Sequence, residues 1–390
     1  MTQSRARRVL RQESDPRRAS YLELFFDLAF IFALMRLSRN LQADLSVAGA
    51  ARTFLLLAAL WAVWVTTAWS ANWYDTGNRV TREFLIVVMF GGLLMAASVP
   101  EAFGRHASVF AGAYLAVHVG RGLAFTSVLR GHPRMWRSVR IVVSFGFTGI
   151  PWVVGAVVPA VRVPLWAGAV TLDYVMTRLR WPTPWLGRSS WEELRVVGEH
   201  LSERYQQIFI VALGELILAV GVAYSDAGFD LARTVAFALS FANAALLAVV
   251  YFIPREGRLG SVIDRSDAPG RLAMDTAFLH LALVGSVVAT AVGDALAIEH
   301  PHGPPRASSV AVTVGGAALF LAARNLTAFL IDRRPPWSGL IALAVLLALV
   351  PALLRLPPPA TIAAADLVLI AIVAQQYVLT RLRHAPGRPV

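Results

Sequence analysis

The chain of 390 residues contains no cysteine. Disulfides, thiolate metal sites, cysteine nucleophiles and lipidated cysteines are therefore excluded, and cysteine usage says nothing about redox compartment. Lysine is missing too, so all 36 basic residues are arginine, a feature of genomic base composition rather than of mechanism. Charge of either sign is scarce: 15% of residues are charged against 57% hydrophobic, and mean hydropathy is +0.59. A soluble domain of this size is not so apolar. Phosphate-binding glycine loops, dinucleotide fingerprints, nucleophile elbows and zinc-ligand spacings are also absent, so neither enzymatic chemistry nor a cofactor is expected.

What the chain has is apolar length. A bilayer crossing needs about 20 mostly apolar residues, and stretches of that scale run over 20–38, 50–71, 83–103, 107–128, 138–159, 161–178, 203–223, 232–253, 272–296, 307–331, 337–355 and 359–380. Thr53–Tyr74, Ile141–Val161, Thr234–Pro254 and Pro335–Leu354 carry no charge over a full crossing. The connections are short and marked by proline, as at Pro133, Pro182, Pro254 and Pro357, which leaves no room for a soluble domain. The expected fold is an all-α polytopic membrane protein of about twelve transmembrane helices.

A net charge of +12 and a pI of 11.1 would suggest nucleic acid in a soluble domain. Here the placement of arginine argues for a membrane surface instead. Alternate loops, beginning with the N-terminal tail, hold most of it, as at Arg5, Arg17, Arg79, Arg134, Arg180 and Arg265; the intervening loops hold isolated residues such as Arg39, Arg105 and Arg355. By the positive-inside rule both termini are cytoplasmic, with anionic lipid as the partner at that face and no nucleic acid. The arginine-rich start followed by an apolar run superficially resembles a secretory signal. Acids open that run and no small-x-small site closes it, so a retained first helix is expected.

Short matches suggest a repeat. Phe30-Ile-x-Ala-Leu34 recurs as Phe209-Ile-x-Ala-Leu213, and Ala51-Arg-Thr53 as Ala232-Arg-Thr234, at nearly the same offset. Six helices per half would give the halves the same orientation. The expected organisation is a basic cytoplasmic tail over 1–19, a first six-helix half over 20–178, a cytoplasmic linker over 179–202, a second half over 203–380 and a cytoplasmic tail over 381–390. Ser190-Trp-Glu-Glu193 in the linker has the capping-box pattern, which predicts a short interfacial helix there.

Ionisable groups at membrane depth are costly and mark function or buried ion pairs. Glu23 and Asp27 lie one helical turn apart and share a face. Ser20-Tyr-Leu-Glu23 also fits a capping box, which can account for Glu23, whereas Asp27 lies a turn deeper. Arg204, Gln207 and Glu215 fall on one stripe of the seventh helix. His200 and Glu203 are three apart and read as a solvated interfacial pair, since two ligands do not make a metal site. Other intramembrane polar groups are His118 with Arg121, Asp173, Asp275 with His280, Arg324 with Asn325, and Asp366. Trp61, Trp64, Trp69, Trp73 and Tyr74 read as interfacial anchors.

Glu23-Leu-Phe-Phe-Asp27-Leu-Ala-Phe-Ile-Phe-Ala-Leu34 resembles the bacterial low temperature requirement protein A (LtrA) family. Asn72-Trp-Tyr-Asp75, Leu94–Gly104, Glu199-His-Leu-Ser-Glu-Arg-Tyr205, Ala212-Leu-Gly-Glu215 and His280-Leu281 agree in the same order, while Gln206-Gln207 depart from the pattern. The resemblance implies a multi-pass inner-membrane protein and assigns it no activity. Two readings follow. In one, the bundle moves an ion or small solute by way of Glu23, Asp27, Arg204, Glu215, Asp275, His280 and Arg121. In the other, the protein is a non-transporting sensor or a lipid- or partner-binding protein whose buried charges are structural. Either admits a homo-oligomer. Reporter fusions at Gly187 and at the C-terminus are expected to read cytoplasmic; a periplasmic signal at either would remove the twelve-helix arrangement.

Overall fold

A computed structural model describes residues 9–11, 18–252, 258–304 and 306–384. Most of the two basic tails, together with Arg255, lies outside the described residues. Within them the structure is helical, with isolated bridges at Leu10–Tyr74 and Thr183–Gly187. The helices are α1 (Tyr21–Ala43), α2 (Val47–Trp73), α3 (Arg79–Ser98), α4 (Ala107–Val128), α5 (Met135–Val157), α6 (Arg162–Arg178), α7 (Gly198–Ala227), α8 (Leu231–Phe252), α9 (Arg258–Arg265), α10 (Pro269–Glu299), α11 (Ala307–Asp332), α12 (Trp337–Ala348), α13 (Val350–Leu353) and α14 (Pro358–His384).

A helix occupies each of the expected stretches, but among the described residues nine are long and apolar enough to cross a membrane. Three expected crossings are not among the nine. Helix α1 carries Glu23, Asp27, Arg36 and Arg39, and α6 is only 17 residues long. The uncharged Pro335–Leu354 stretch is broken between α12 and α13, where Pro351 removes an amide donor and crowds the preceding turn. Absence of charge was therefore a poor guide to helix continuity. The surface supports the membrane assignment: Phe25, Leu28, Phe90, Phe147 and Ile150 are each more than half exposed, while Glu23, Asp27, Arg204 and Asp294 are buried. That inversion of the soluble pattern fits a chain whose outer solvent is hydrocarbon, and the protein is a multi-pass membrane protein.

The chain packs as two compact units, one formed by residues 1–211 and 259–281, the other by 212–258 and 282–390. In the first unit, α1 packs on α2 and α3, and α4 to α6 pack in succession. The expected interfacial helix in the linker is a turn over 191–194. Ser190 Oγ accepts from Glu193 N at 3.1 Å as the capping pattern requires. However, Arg137 takes the Glu193 carbonyl at 2.8 Å and Arg140 its carboxylate at 3.1 Å. Those bonds bind the segment to α5 and prevent it from extending as a surface helix. Beyond α6, Arg180 and Trp181 adopt left-handed backbone conformations (φ 65° and 52°) that side chains tolerate poorly, and Trp181 is thereby buried at 3% exposure.

In the second unit, α14 packs along α8 and also meets α11 and α12. Helices α10 and α11 approach closely at Gly316, where an added Cβ would lie 2.8 Å from Thr290 N and 3.0 Å from Ser286 O; at Gly315 it would meet nothing within 4 Å. Gly316→Ala is therefore expected to destabilise by about 1–3 kcal/mol through overpacking. Gly315→Ala should be neutral or stabilising through helix propensity. Thermal unfolding of the two variants in detergent checks the contrast, and equal melting temperatures would contradict the close approach.

Candidate functional site

The N-terminus of α7 is fixed by contacts outside the buried charge cluster. Asp264 Oδ1 accepts from Gly198 N at 2.7 Å, and Asn72 at the end of α2 brackets Val197, accepting from its amide at 2.8 Å and donating to its carbonyl at 2.9 Å. A Cβ at Gly198 would lie 2.9 Å from Ile263 Cβ, so glycine permits this approach of α9. Because Asn72 Oδ1 accepts from an amide, its Nδ2 is the donor facing His200 Nδ1 at 3.1 Å. The imidazole hydrogen then sits on Nε2, which points at Glu23 Oε2 at 3.1 Å.

One turn on, Arg204 reaches α1. Its Nη1 and Nη2 donate to Asp27 Oδ2 and Oδ1 at 2.7 and 2.6 Å, the two-pronged geometry that makes guanidinium–carboxylate pairs strong. Nε lies 3.5 Å from Glu23 Oε2, Nη1 also donates to Gln207 Oε1 at 2.9 Å, and Trp64 Nε1 from α2 donates to Asp27 Oδ1 at 2.8 Å. Glu23, Asp27, Arg204 and His200 are all at most 2% exposed. Glu23 does both things its position suggested. Its Oε1 completes the capping box with Ser20, and its Oε2 faces His200 and Arg204.

Several expectations are corrected here. His200 and Glu203 do not form a solvated pair: His200 is buried against Asn72 and Glu23, while Glu203 accepts from Gln207 at 3.3 Å and from Ala19 N at 2.9 Å. The departing Gln207 is a member of the cluster. The tryptophans of α2 are not interfacial anchors. Trp61, Trp64, Trp69 and Trp73 are at most 8% exposed, with Trp61 stacked on Trp64 at 4.7 Å. Asp275 pairs with Arg178 at 3.1 Å, and His280 contacts Thr276 O and stacks on Tyr205 at 4.4 Å. Five residues apart, Asp275 and His280 are separated by about 140° around the helix, so they serve different neighbours. Arg121 bonds Thr66 and His118 rather than an acid. Glu215 is buried in the second unit.

The second unit contains an acid that sequence reasoning missed. Asp294 of α10 and Asp366 of α14, 0% and 4% exposed, lie within electrostatic reach of each other. Ser240 and Asn243 of α8 approach them. Yet Ser240 Oγ is turned to Ala236 O at 2.9 Å, and among the described residues no group completes a hydrogen bond to any of the four carboxyl oxygens or to Asn243 Oδ1. The signal in the sequence was a lone aspartate within Val287–Ile298, overlooked because it lies near the end of its span.

Removing Arg204 from the first cluster would leave two buried carboxylates facing each other. Arg204→Gln is therefore expected to cost roughly 3–5 kcal/mol, more than Asp27→Asn, which keeps acceptors for Trp64 and Arg204. Trp64→Phe should cost least, about 1.5–3 kcal/mol for one bond to a charged group. Denaturation midpoints test the order; zero coupling between Arg204 and Asp27 in a double-mutant cycle would contradict the pairing.

Residues 18–374 match the family described as Bacterial low temperature requirement A protein (LtrA). A protein of Rhizobium meliloti (strain 1021), described as uncharacterized, is 33% identical over 353 residues, covering 89% of this chain and 86% of the relative. No solved structure matches. The motifs in the first helix and around Arg204 and the match over nearly the whole length agree: the chain belongs to the bacterial low temperature requirement A (LtrA) family.

Proposed function

We propose that the protein crosses the inner membrane twelve times, as two six-helix halves of like orientation with both termini cytoplasmic. We further propose that it moves a proton or a small cation by way of carboxylates buried in the bundle, without enzymatic chemistry. The observation that carries this reading is the pair Asp294 and Asp366: two carboxylates buried together, with no arginine at ion-pair distance among the described residues. Two uncompensated negative charges in a low-dielectric interior are expensive, and a bound proton or cation relieves both. The unpartnered Asn243 Oδ1 beside them adds a neutral oxygen of the kind a small cation takes. Glu215 is a further buried acid of the same unit; in the first unit, Asp27 becomes available to a proton only when its bonds to Arg204 break.

The non-transporting reading has support of its own. Asp27 is held by Arg204 at both oxygens and by Trp64 at one, which is what a structural clamp between α1 and α7 requires. Flux assays in proteoliposomes separate the two readings. With an imposed proton, sodium or potassium gradient, the protein is expected to conduct at least one of these ions. Asp294→Asn and Asp366→Asn should each lower that flux about tenfold or more, the size of a lost barrier contact, at unchanged melting temperature. No flux under any gradient, or flux indifferent to both substitutions, would favour the clamp.

A further inference from the structure

The first unit holds a partly open cavity of about 60 Å³, several times the ~10–15 Å³ that one water needs. Its walls are largely flat and apolar, formed by Trp61, Trp69 and Trp73 of α2, Phe145 of α5, Trp181 of the linker and Phe278 of α10. The strained left-handed backbone at Arg180 and Trp181 helps to explain how a linker residue comes to line it.

Arg121 of α4 distinguishes this space from a packing defect. It lines the cavity at 4% exposure, with Nη1 donating to Thr66 Oγ1 at 2.5 Å and Nη2 2.9 Å from His118 Nδ1. The His118 ring is itself held, stacked on Phe145 at 4.0 Å and edge-on to Tyr114 at 4.4 Å. Two of the five N–H donors of the guanidinium are thereby engaged, by neutral partners. Among the described residues no carboxylate lies within ion-pair distance of it. Asp173 lines the same cavity; its Oδ2 accepts from Tyr114 OH at 2.7 Å, while its Oδ1 has no hydrogen-bond partner among the described residues, and it lies beyond ion-pair distance of Arg121. A buried guanidinium without a counter-charge is costly, and its planar fork matches a carboxylate.

The walls narrow the class further. Indole faces are electron-rich and disfavour a bare halide. An anion carried on a flat apolar body can set its charge on Arg121 and its ring against Trp61, Trp69 and Phe278. We infer that this cavity binds a small aromatic monocarboxylate, with the carboxylate on the remaining donors of Arg121 and the ring among the tryptophans. The inference is independent of ion movement through the second unit, because it uses none of those residues.

The test is calorimetric titration of the full-length protein in nanodiscs with benzoate, followed in parallel by tryptophan fluorescence. Benzyl alcohol, benzylamine and sodium chloride are titrated alongside. Saturable benzoate binding is expected, with benzyl alcohol and benzylamine weaker by about tenfold or more, equivalent to losing one charged contact. Arg121→Gln should lose at least as much, and Arg121→Lys should retain part of the affinity by keeping a charge without the fork. Ala277→Phe, which fills the cavity and leaves Arg121 in place, should abolish binding, and it decides the matter if Arg121→Gln fails to fold. Absence of saturable benzoate binding, benzylamine binding as tight as benzoate, chloride competing at equal concentration, or an Ala277→Phe variant that binds like the wild type would each overturn the inference.

Discussion

A guanidinium facing two carboxylates inside an apolar bundle constrains everything packed around it. Arg204, Asp27 and Glu23 cannot be buried one at a time, because each alone would leave an uncompensated charge away from water. Their pairing fixes α1 and α7 in one register in the folded structure. The surrounding bonds hold that register. Ser20 and Glu23 set the start of α1, Asn72 and Asp264 set the start of α7, and Trp64 brings α2 to the same carboxylate. Glu203 ties the segment before α1 back to α7 through Ala19 N, next to the ion pair.

The two units treat buried charge in opposite ways. In the first, acid and base meet with good geometry, and the neighbouring polar atoms of Gln207, Asn72 and His200 are drawn into one network. In the second, Asp294 and Asp366 meet with Ser240 and Asn243 beside them and, among the described residues, no hydrogen bond to either carboxylate. A network with its charges matched is rigid, whereas a buried pair left unmatched carries an electrostatic cost. The same distinction recurs within the first unit. The paired Arg204 belongs to the frame, and Arg121, bonded only to neutral groups at the edge of an aromatic cavity, does not.

Two arginines in the first turns of α5 are turned inward rather than toward lipid. Arg137 is buried, with its guanidinium 3.8 Å from the Trp73 ring centre, and Arg140 spends its donors on Leu186 and Glu193. These two arginines act as internal fasteners, holding the linker against α5 in place of the helix its capping pattern suggested.

By itself the sequence determined the class of object and where its long apolar helices lie, because apolar length and the 3.6-residue period are properties of contiguous residues. It also located Asp27 as an acid that capping could not explain, and it set Arg204 and Gln207 on one face, because one helical turn suffices to deduce both. Only the tertiary structure decided which charge met which. Arg204 finds Asp27 across 177 residues, and Asp294 lies beside Asp366 from another helix; neither pairing leaves a trace in local spacing. The tertiary structure likewise turned the tryptophans of α2 inward, where composition alone read membrane anchors. Aromatic residues serve a lipid interface and a packed core equally well, and the choice depends on which face the neighbouring helices cover.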